Sequence, residues 1–337
     1  MLGISVVVVS YNSEALIEAT LDCLFRQNNP TNINWEVILV NNNSTDKTVE
    51  IAQSTAQKHQ YQNFKIVLES KPGTAFARHK GISEAKYDII CFVDDDNRVM
   101  QNWITTAFRL MQNSEIGILG CAGEAEFEKA PPIWFEKEKL AYAVGSLYPN
   151  HELIDTTFDA NLPTAGMCIR KQIFTDLNSK NWRPLLSGRI GKSQAPGEDT
   201  ELCQAARLLG YKTFYTSQLT FKHYLPNSRV NWQRFLEMTH GFGITDVFLL
   251  PYKLVYEKNN FSSKFAYYLR KNWWVNYLGK CLVTQINQLK YWFKLIDLQS
   301  FEKIKARNAG FCETITVEKD KFSMAFLHIE NLKKSIF

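Results

Sequence analysis

Short apolar segments alternate with helical patterns through the first hundred residues, and this alternation constrains the fold more than any other feature of the chain. Ile4–Val9 is a continuous β-branched run, the composition of a strand buried on both faces. Leu16, Ile17, Leu21, Leu24 and Phe25 follow at helical spacing and stop before Pro30, with Asn12 and Ser13 as candidate caps. Val37–Val40 reads as a second strand, with a helix through about Lys58. Ile66–Leu68 is a third, with a helix over Ala75–Ala85, and Ile89–Val93 is a fourth. Strands alternating with helices predict a largely parallel sheet with right-handed crossovers. Ligands of such sheets bind at the carboxyl ends of the strands. The polar residues gather at those ends: Ser10-Tyr11-Asn12, Asn41–Ser44 and Asp94–Asp96.

Past Gly120 the alternation becomes irregular, and Pro131-Pro132 and Ser187–Gly197 read as loops. After Asn231 the pattern is helical, which sets a boundary near residue 230 between an α/β region (1–230) and a helical one (231–337). Composition divides at the same place. The formal charge of +5 hides a balance of −2 before the boundary and +7 after it, and 21 of the 44 aromatics lie in the last 107 residues. A 337-residue chain that is 45% hydrophobic has ample material for a core and is not disordered, collagen-like or a disulfide scaffold. Its seven scattered cysteines form no CxxC pair and read as reduced thiols of a cytoplasmic protein, with zinc unexpected. The N-terminus lacks a basic region and a cleavage site, so no secretory leader is expected, and no membrane-spanning run is seen.

Asp94-Asp95-Asp96 follows directly on the fourth strand. Adjacent carboxylates repel one another, which a cation or solvent must offset. Alternate residues of an extended segment share a face, so Asp94 and Asp96 can act together. Hard oxygen ligands suit Mg2+ or Mn2+, held by one or two carboxylates plus phosphate oxygens. A solvated acidic turn is the other reading.

Four segments in order, Val-Val-Val-Val-Ser-Tyr-Asn, Val-Asn-Asn-Asn-Ser-Thr-Asp-Lys-Thr, Phe-Val-Asp-Asp-Asp-Asn and Pro-Gly-Glu-Asp-Thr-Glu-Leu, resemble those of the family 2 glycosyltransferases over roughly residues 3–225. The resemblance implies a GT-A fold: a mixed, mainly parallel sheet between helices, here with a helical C-terminal region. It implies an inverting, metal-dependent enzyme of bacterial surface polysaccharide or glycolipid synthesis. Such an enzyme moves a sugar from a nucleotide-diphosphate donor to a glycan or lipid-linked hydroxyl. The family's Asp-X-Asp falls on Asp94-Asp95-Asp96, so Asp96 and Asp94 would hold the metal, and His223 stands where some relatives carry a metal-proximal histidine. Ser10, Tyr11, Asn41, Arg78, Asp94 and Asp95 would bind the nucleotide-sugar. The family usually has Asp where Asn41 stands, accepting the imide N–H of uracil; Asn keeps an acceptor without the charge, so a UDP-sugar is favoured with GDP and dTDP as alternatives. Asp46 either joins this set or serves the helix that follows it. His79 replaces a common Asn and has no assigned role.

The family's Glu-Asp pair corresponds to Glu198 and Asp199, with Asp199 as the base that deprotonates the acceptor and Glu198 shaping the site. Capping of a helix N-terminus is the plainer reading of both. Ser187–Gly197, with Arg189 and Lys192, is either a lid over the diphosphate or a surface loop. Ala165–Arg170 resembles the acceptor-side strand, where Gly166 permits close backbone approach. Residues 264–296 hold six Lys/Arg, no Asp or Glu, and interleaved aromatics. That stretch either lies peripherally on an anionic membrane or packs on the catalytic region. No nucleic-acid motif accompanies it. Two other functions are weighed. A sugar nucleotidyltransferase would need a Gly-rich basic loop where Ser10-Tyr11-Asn12 stands, and a non-catalytic nucleotide- or glycan-binding module would not need Asp94, Asp96 and Asp199 intact.

Overall fold

The computed structural model describes residues 1–29, 33–149, 151–159, 161–186, 188, 196–257 and 261–334. The predicted alternation is present: β1 (Ile4–Ser10), α1 (Ile17–Phe25), β2 (Trp35–Asn41), α2 (Thr48–Lys58), β3 (Phe64–Leu68), α3 (Thr74–Glu84) and β4 (Ile89–Asp94). A short β5 (Asn97–Val99) and α4 (Trp103–Met111) follow, then β6 (Ile116–Phe127), α5 (Phe135–Glu138), β7 (Leu153–Asp155), β8 (Cys168–Arg170), α6 (Lys171–Ser179), α7 (Glu198–Leu208) and β9 (Lys212–Leu225). The remainder is helical: α8 (Trp232–Glu257), α9 (Phe261–Arg270), α10 (Trp273–Trp292), α11 (Leu298–Val317) and α12 (Lys319–Lys334).

The strands form one mixed sheet in the order β3-β2-β1-β4-β8-β6-β9-β5, with β7 on β9. The first four are parallel neighbours, β8 runs antiparallel to β4 and β6, and β6 pairs in parallel with β9. Register sets the level of the strand ends: Ser10 lies opposite Asn41, and Val9 opposite Asp94. Because side chains alternate across a strand, Val6 and Val8 join Leu21 and Leu24 of α1 and Trp103 and Ile104 of α4 in one core. Val7 points the other way, against Gly81 of α3, where an added Cβ would come within 2.3 Å of it. Helices therefore cover both faces, as a sheet of continuous β-branched strands requires.

Gly166 precedes β8 with a φ of +71°, and a Cβ there would stand 2.3 Å from the Cys121 sulfur. Only glycine admits both that backbone and that approach.

By contact the chain forms two compact units. Met1–Leu177 and Gly210–Val230 carry the whole sheet, and Asn178–Leu209 groups with the helices from Asn231 onward. Within the helical unit α8 crosses α11 where each has a glycine. A Cβ on Gly243 would meet the Arg307 carbonyl at 1.9 Å, and one on Gly310 the His240 carbonyl at 2.1 Å. No described helix is long and apolar enough to cross a membrane.

Candidate nucleotide-sugar site

The loop after β1 is built from hydrogen bonds to side chains. Asn12 adopts a left-handed φ of 50°. Its amide oxygen accepts from the Thr45 N–H at 2.8 Å, and its N–H donates to Ser44 Oγ at 3.0 Å. Ser44 in turn donates its N–H to Asn41 Oδ1 at 2.9 Å. Asn41 therefore spends its acceptor within its own loop, while its NH2 group has no partner among the described residues. Ser10 and Ser13 share a hydroxyl–hydroxyl hydrogen bond, and Ser13 Oγ donates to Asp95 Oδ2 at 2.5 Å. Ser13 was a candidate cap, yet no side chain caps α1, because Asp95 holds the hydroxyl. Tyr11 is held by its backbone, 3.4 Å from the same carboxylate, and its side chain is 60% exposed.

Asn42 is a functional support that the sequence reading passed over. It is buried and donates its amide to the carbonyls of Glu69 and Lys71 at 2.9 and 2.8 Å, while accepting from the Gly73 N–H at 2.9 Å. These bonds fix the turn that launches α3 and with it Arg78. Arg78 Nη2 donates to Asp94 Oδ1 at 3.3 Å. Asp46 accepts from the N–H groups of Glu14 and Thr48 at 3.0 Å, so it ties the β1–α1 loop to the start of α2. His79 lies edge-on to Phe174, with ring centroids 6.4 Å apart.

The three aspartates have three different environments. Asp94 faces Arg78. Asp95 turns inward to Ser13, and burial together with the charges of Asp96 and Asp94 pushes its carboxyl up to about 7. Asp96 meets two cationic or cation-forming groups: Arg229 Nη1 at 2.7 Å and His223 Nε2 at 3.3 Å, both on Oδ2. Burial alone would raise it, but His223 and Arg229 outweigh that and hold it at about 2. Asn97 donates to its other oxygen at 3.0 Å. His223 sits inside β9, opposite Asn97 of β5.

These residues fit a hard divalent ion. The His223 Nδ1 lies 2.8 Å from the Tyr142 carbonyl, which can only accept, so Nδ1 carries the proton. With Nδ1 committed to the Tyr142 carbonyl, Nε2 is the ring nitrogen that faces Asp96 and could ligate a cation bound beside that carboxylate. Among the described residues no three His, Cys, Asp or Glu side chains cluster tightly enough to hold a metal alone. Two protein ligands with phosphate oxygens and water suit Mg2+ or Mn2+.

Glu198 and Asp199 belong to the helical unit, at the first turn of α7. Glu198 accepts from the Gly197 N–H at 3.1 Å and Asp199 from the Thr200 N–H at 2.7 Å, so both engage amides at the helix start. The residue missed here is Glu201. Fully buried, it accepts from the N–H groups of Leu185 and Leu186 at 2.8 and 2.9 Å and from the Tyr252 hydroxyl at 2.9 Å. Burial lifts its carboxyl to about 7 against those donors. The Trp182 indole donates to the Tyr252 oxygen at 2.8 Å, completing the chain of bonds. Arg189 and Lys192, read as part of a lid, lie outside the described residues.

A mixed sheet of this order, with loops and carboxylates gathered at the ends of its parallel strands, is the GT-A architecture. Solved structures share it. S. aureus TarS 1-349 in complex with UDP-GlcNAc aligns over 99% of this chain and 90% of its own at 15% identity and a TM-score of 0.53. The mannosyltransferase PcManGT from Pyrobaculum calidifontis, in complex with GDP-Man and Mn2+, aligns over 99% and 86% at 16% identity and a TM-score of 0.52. The sequence carries the identification further. Residues 5–171 match the family described as Glycosyl transferase family 2 and form a domain of that family. The putative glycosyltransferase EpsH of Bacillus subtilis is 31% identical over 126 residues, 37% of this chain and 35% of that protein. The chain thus spans about a third of the length of EpsH and of a second Bacillus subtilis glycosyltransferase, EpsJ.

Proposed function

We propose that the chain is a metal-dependent inverting glycosyltransferase of surface polysaccharide or glycolipid synthesis, with residues 1–230 as its catalytic domain. It takes a sugar from a nucleoside-diphosphate donor and passes it to a glycan or lipid-linked hydroxyl at the cytoplasmic face of the membrane. The observation that carries the reading is the Asp96–His223 pair at the strand ends, with the proton on Nδ1 leaving Nε2 to a cation. Asp96 and His223 would hold the ion, Mg2+ or Mn2+, with Asp94 beside Arg78 completing the acidic set, and the ion would offset the charge that grows on the departing diphosphate. The Mn2+ and GDP-Man of the Pyrobaculum enzyme and the UDP-GlcNAc of TarS support a donor of this class.

Arg78, Ser10, Tyr11, Asn41 and the Asp94–Asp95 pair bind the donor. With Asn41 Oδ1 occupied by Ser44, its free NH2 is suited to a base carbonyl, which both uracil and thymine present. Asp95 acts by fixing the loop of Tyr11 and Ser13. Asp199 accepts the proton of the acceptor hydroxyl as its oxygen bonds to the anomeric carbon. The bond from that carbon to the diphosphate breaks, its electron pair leaves with the nucleotide, and configuration inverts. Glu198 holds the start of α7 beside it. A positioned base contributes ~10²–10⁴-fold to rate. The test is nucleotide release from UDP-, GDP- and dTDP-sugars with Mn2+ and a glycan acceptor. Release that needs the metal and falls by that factor in Asp199→Asn, with donor binding retained, is expected. Metal-independent release, or a fully active variant, would overturn the mechanism.

A further inference from the structure

Helix α10 packs against α11 along one side. Asn276 is buried, Lys280 stands 4.9 Å over the Phe311 ring, and Asn308 of α11 donates to Thr284 at 2.9 Å. The opposite side is apolar and open. Trp274, Leu278, Leu282, Ile286, Leu289 and Trp292 are 42–65% exposed. At about 100° per residue they fall within an arc of ~120°, which Gln285 interrupts. Exposed Arg270, Lys290 and Lys294 lie at its two ends, and no acidic residue occurs between 264 and 296.

We infer that this face of α10 seats on an anionic lipid bilayer, with the helix lying in the headgroup plane. Three features choose the occupant. Tryptophan stands at both ends of the stripe, the residue best suited to a membrane–water interface. The basic residues at its ends match anionic headgroups, and residues 264–296 themselves carry no carboxylate side chain, the flanking Glu257 and Asp297 lying just outside them. The helix is not apolar enough to span, so it lies on the surface. A second copy of the chain would bring two basic stripes together without a counter-charge. A nucleic acid would satisfy the charge and leave the apolar arc wet. The inference deepens the proposed function and rests on it for the acceptor's location; the lipid contact itself is tested separately.

The experiment is co-sedimentation of the full chain with phosphatidylcholine vesicles, with and without phosphatidylglycerol. Binding that requires phosphatidylglycerol and weakens with salt is expected. Leu282→Glu combined with Ile286→Glu should lower partition by about tenfold or more, since each loses apolar burial and adds a like charge to the bilayer's. Light scattering and the circular dichroism spectrum of the same variant report oligomeric state and fold. Nucleotide-sugar binding should be unchanged, which separates failure of the lipid contact from failure of the glycosyltransferase reading. If the parent chain ignores phosphatidylglycerol vesicles, if the folded variant binds as well as the parent, or if the substitutions only dissolve a dimer, the inference is wrong.

Discussion

Glu201→Gln isolates the proton held in the helical unit. In the folded chain burial raises the carboxyl of Glu201 from its usual 4.5 to about 7, despite three donors and the Lys321 charge favouring the ionised form. The folded state therefore keeps a proton that the unfolded chain has lost. Stability from this group is full below about 4.5 and drains away as the pH rises to and beyond 7. That displacement corresponds to about 3 kcal/mol at 1.36 kcal/mol for each pH unit. Glutamine has nearly the same shape and no charge. It presents an NH2 group in place of one carboxylate oxygen, and the resulting mismatch with an N–H of Leu185 or Leu186 adds about 1–3 kcal/mol at every pH. That constant cost subtracts out when slopes are compared. Urea unfolding followed by tryptophan fluorescence, to which buried Trp182 contributes, should show the parent losing about 3 kcal/mol more than Glu201→Gln between pH ~5 and ~8. Parallel curves would refute the reasoning. They would mean that the donors from Leu185, Leu186 and Tyr252 keep Glu201 ionised throughout that range.

Asp96→Asn should weaken Mn2+ binding in the presence of nucleoside diphosphate by at least ~10-fold, read by calorimetry, since it removes the charge on which His223 and Arg229 converge. Asn42→Ala orphans the Gly73 N–H and should cost about 1–3 kcal/mol in urea unfolding, with weaker donor binding through the loosened turn of Arg78. Gly166→Ala meets a left-handed backbone and the Cys121 sulfur together, so its unfolding midpoint should fall by more than the ~1–2 kcal/mol of the backbone alone.

The strands β1, β2 and β4 were legible because each carries an unbroken apolar run that is buried on both faces, whereas β3, half-buried and with Lys65 inside it, showed only as Ile66–Leu68. The strands β6 and β9, of 12 and 14 residues, were not. Gly117, Gly120 and Gly123 break up β6, where each glycine admits a close neighbour, and β9 alternates polar with apolar. The family resemblance pointed to Asp96 and His223, which the fold brings together, but not to Arg229, whose pairing with Asp96 spans 133 residues. Asn42 hid within Asn41-Asn42-Asn43, where three like side chains face different ways and only the fold separates a loop brace from an interior clamp. Glu201 carries no motif of its own. Its significance comes from being carried into an apolar interior by α7, where donors from elsewhere in the chain converge on it.

Arg229 has a consequence for selectivity. Asp96 is never a bare anion, because a guanidinium already rests on its Oδ2. In the proposed function a divalent ion at this carboxylate would exchange one ion pair for another, so its net attraction would be a difference, far smaller than the charge of the ion alone implies. A diphosphate would change that balance by adding oxygen ligands for the ion and a new anionic partner for the guanidinium. Charge neutralisation at Asp96 would thereby become a filter, favouring cation and nucleotide arriving together over either one alone.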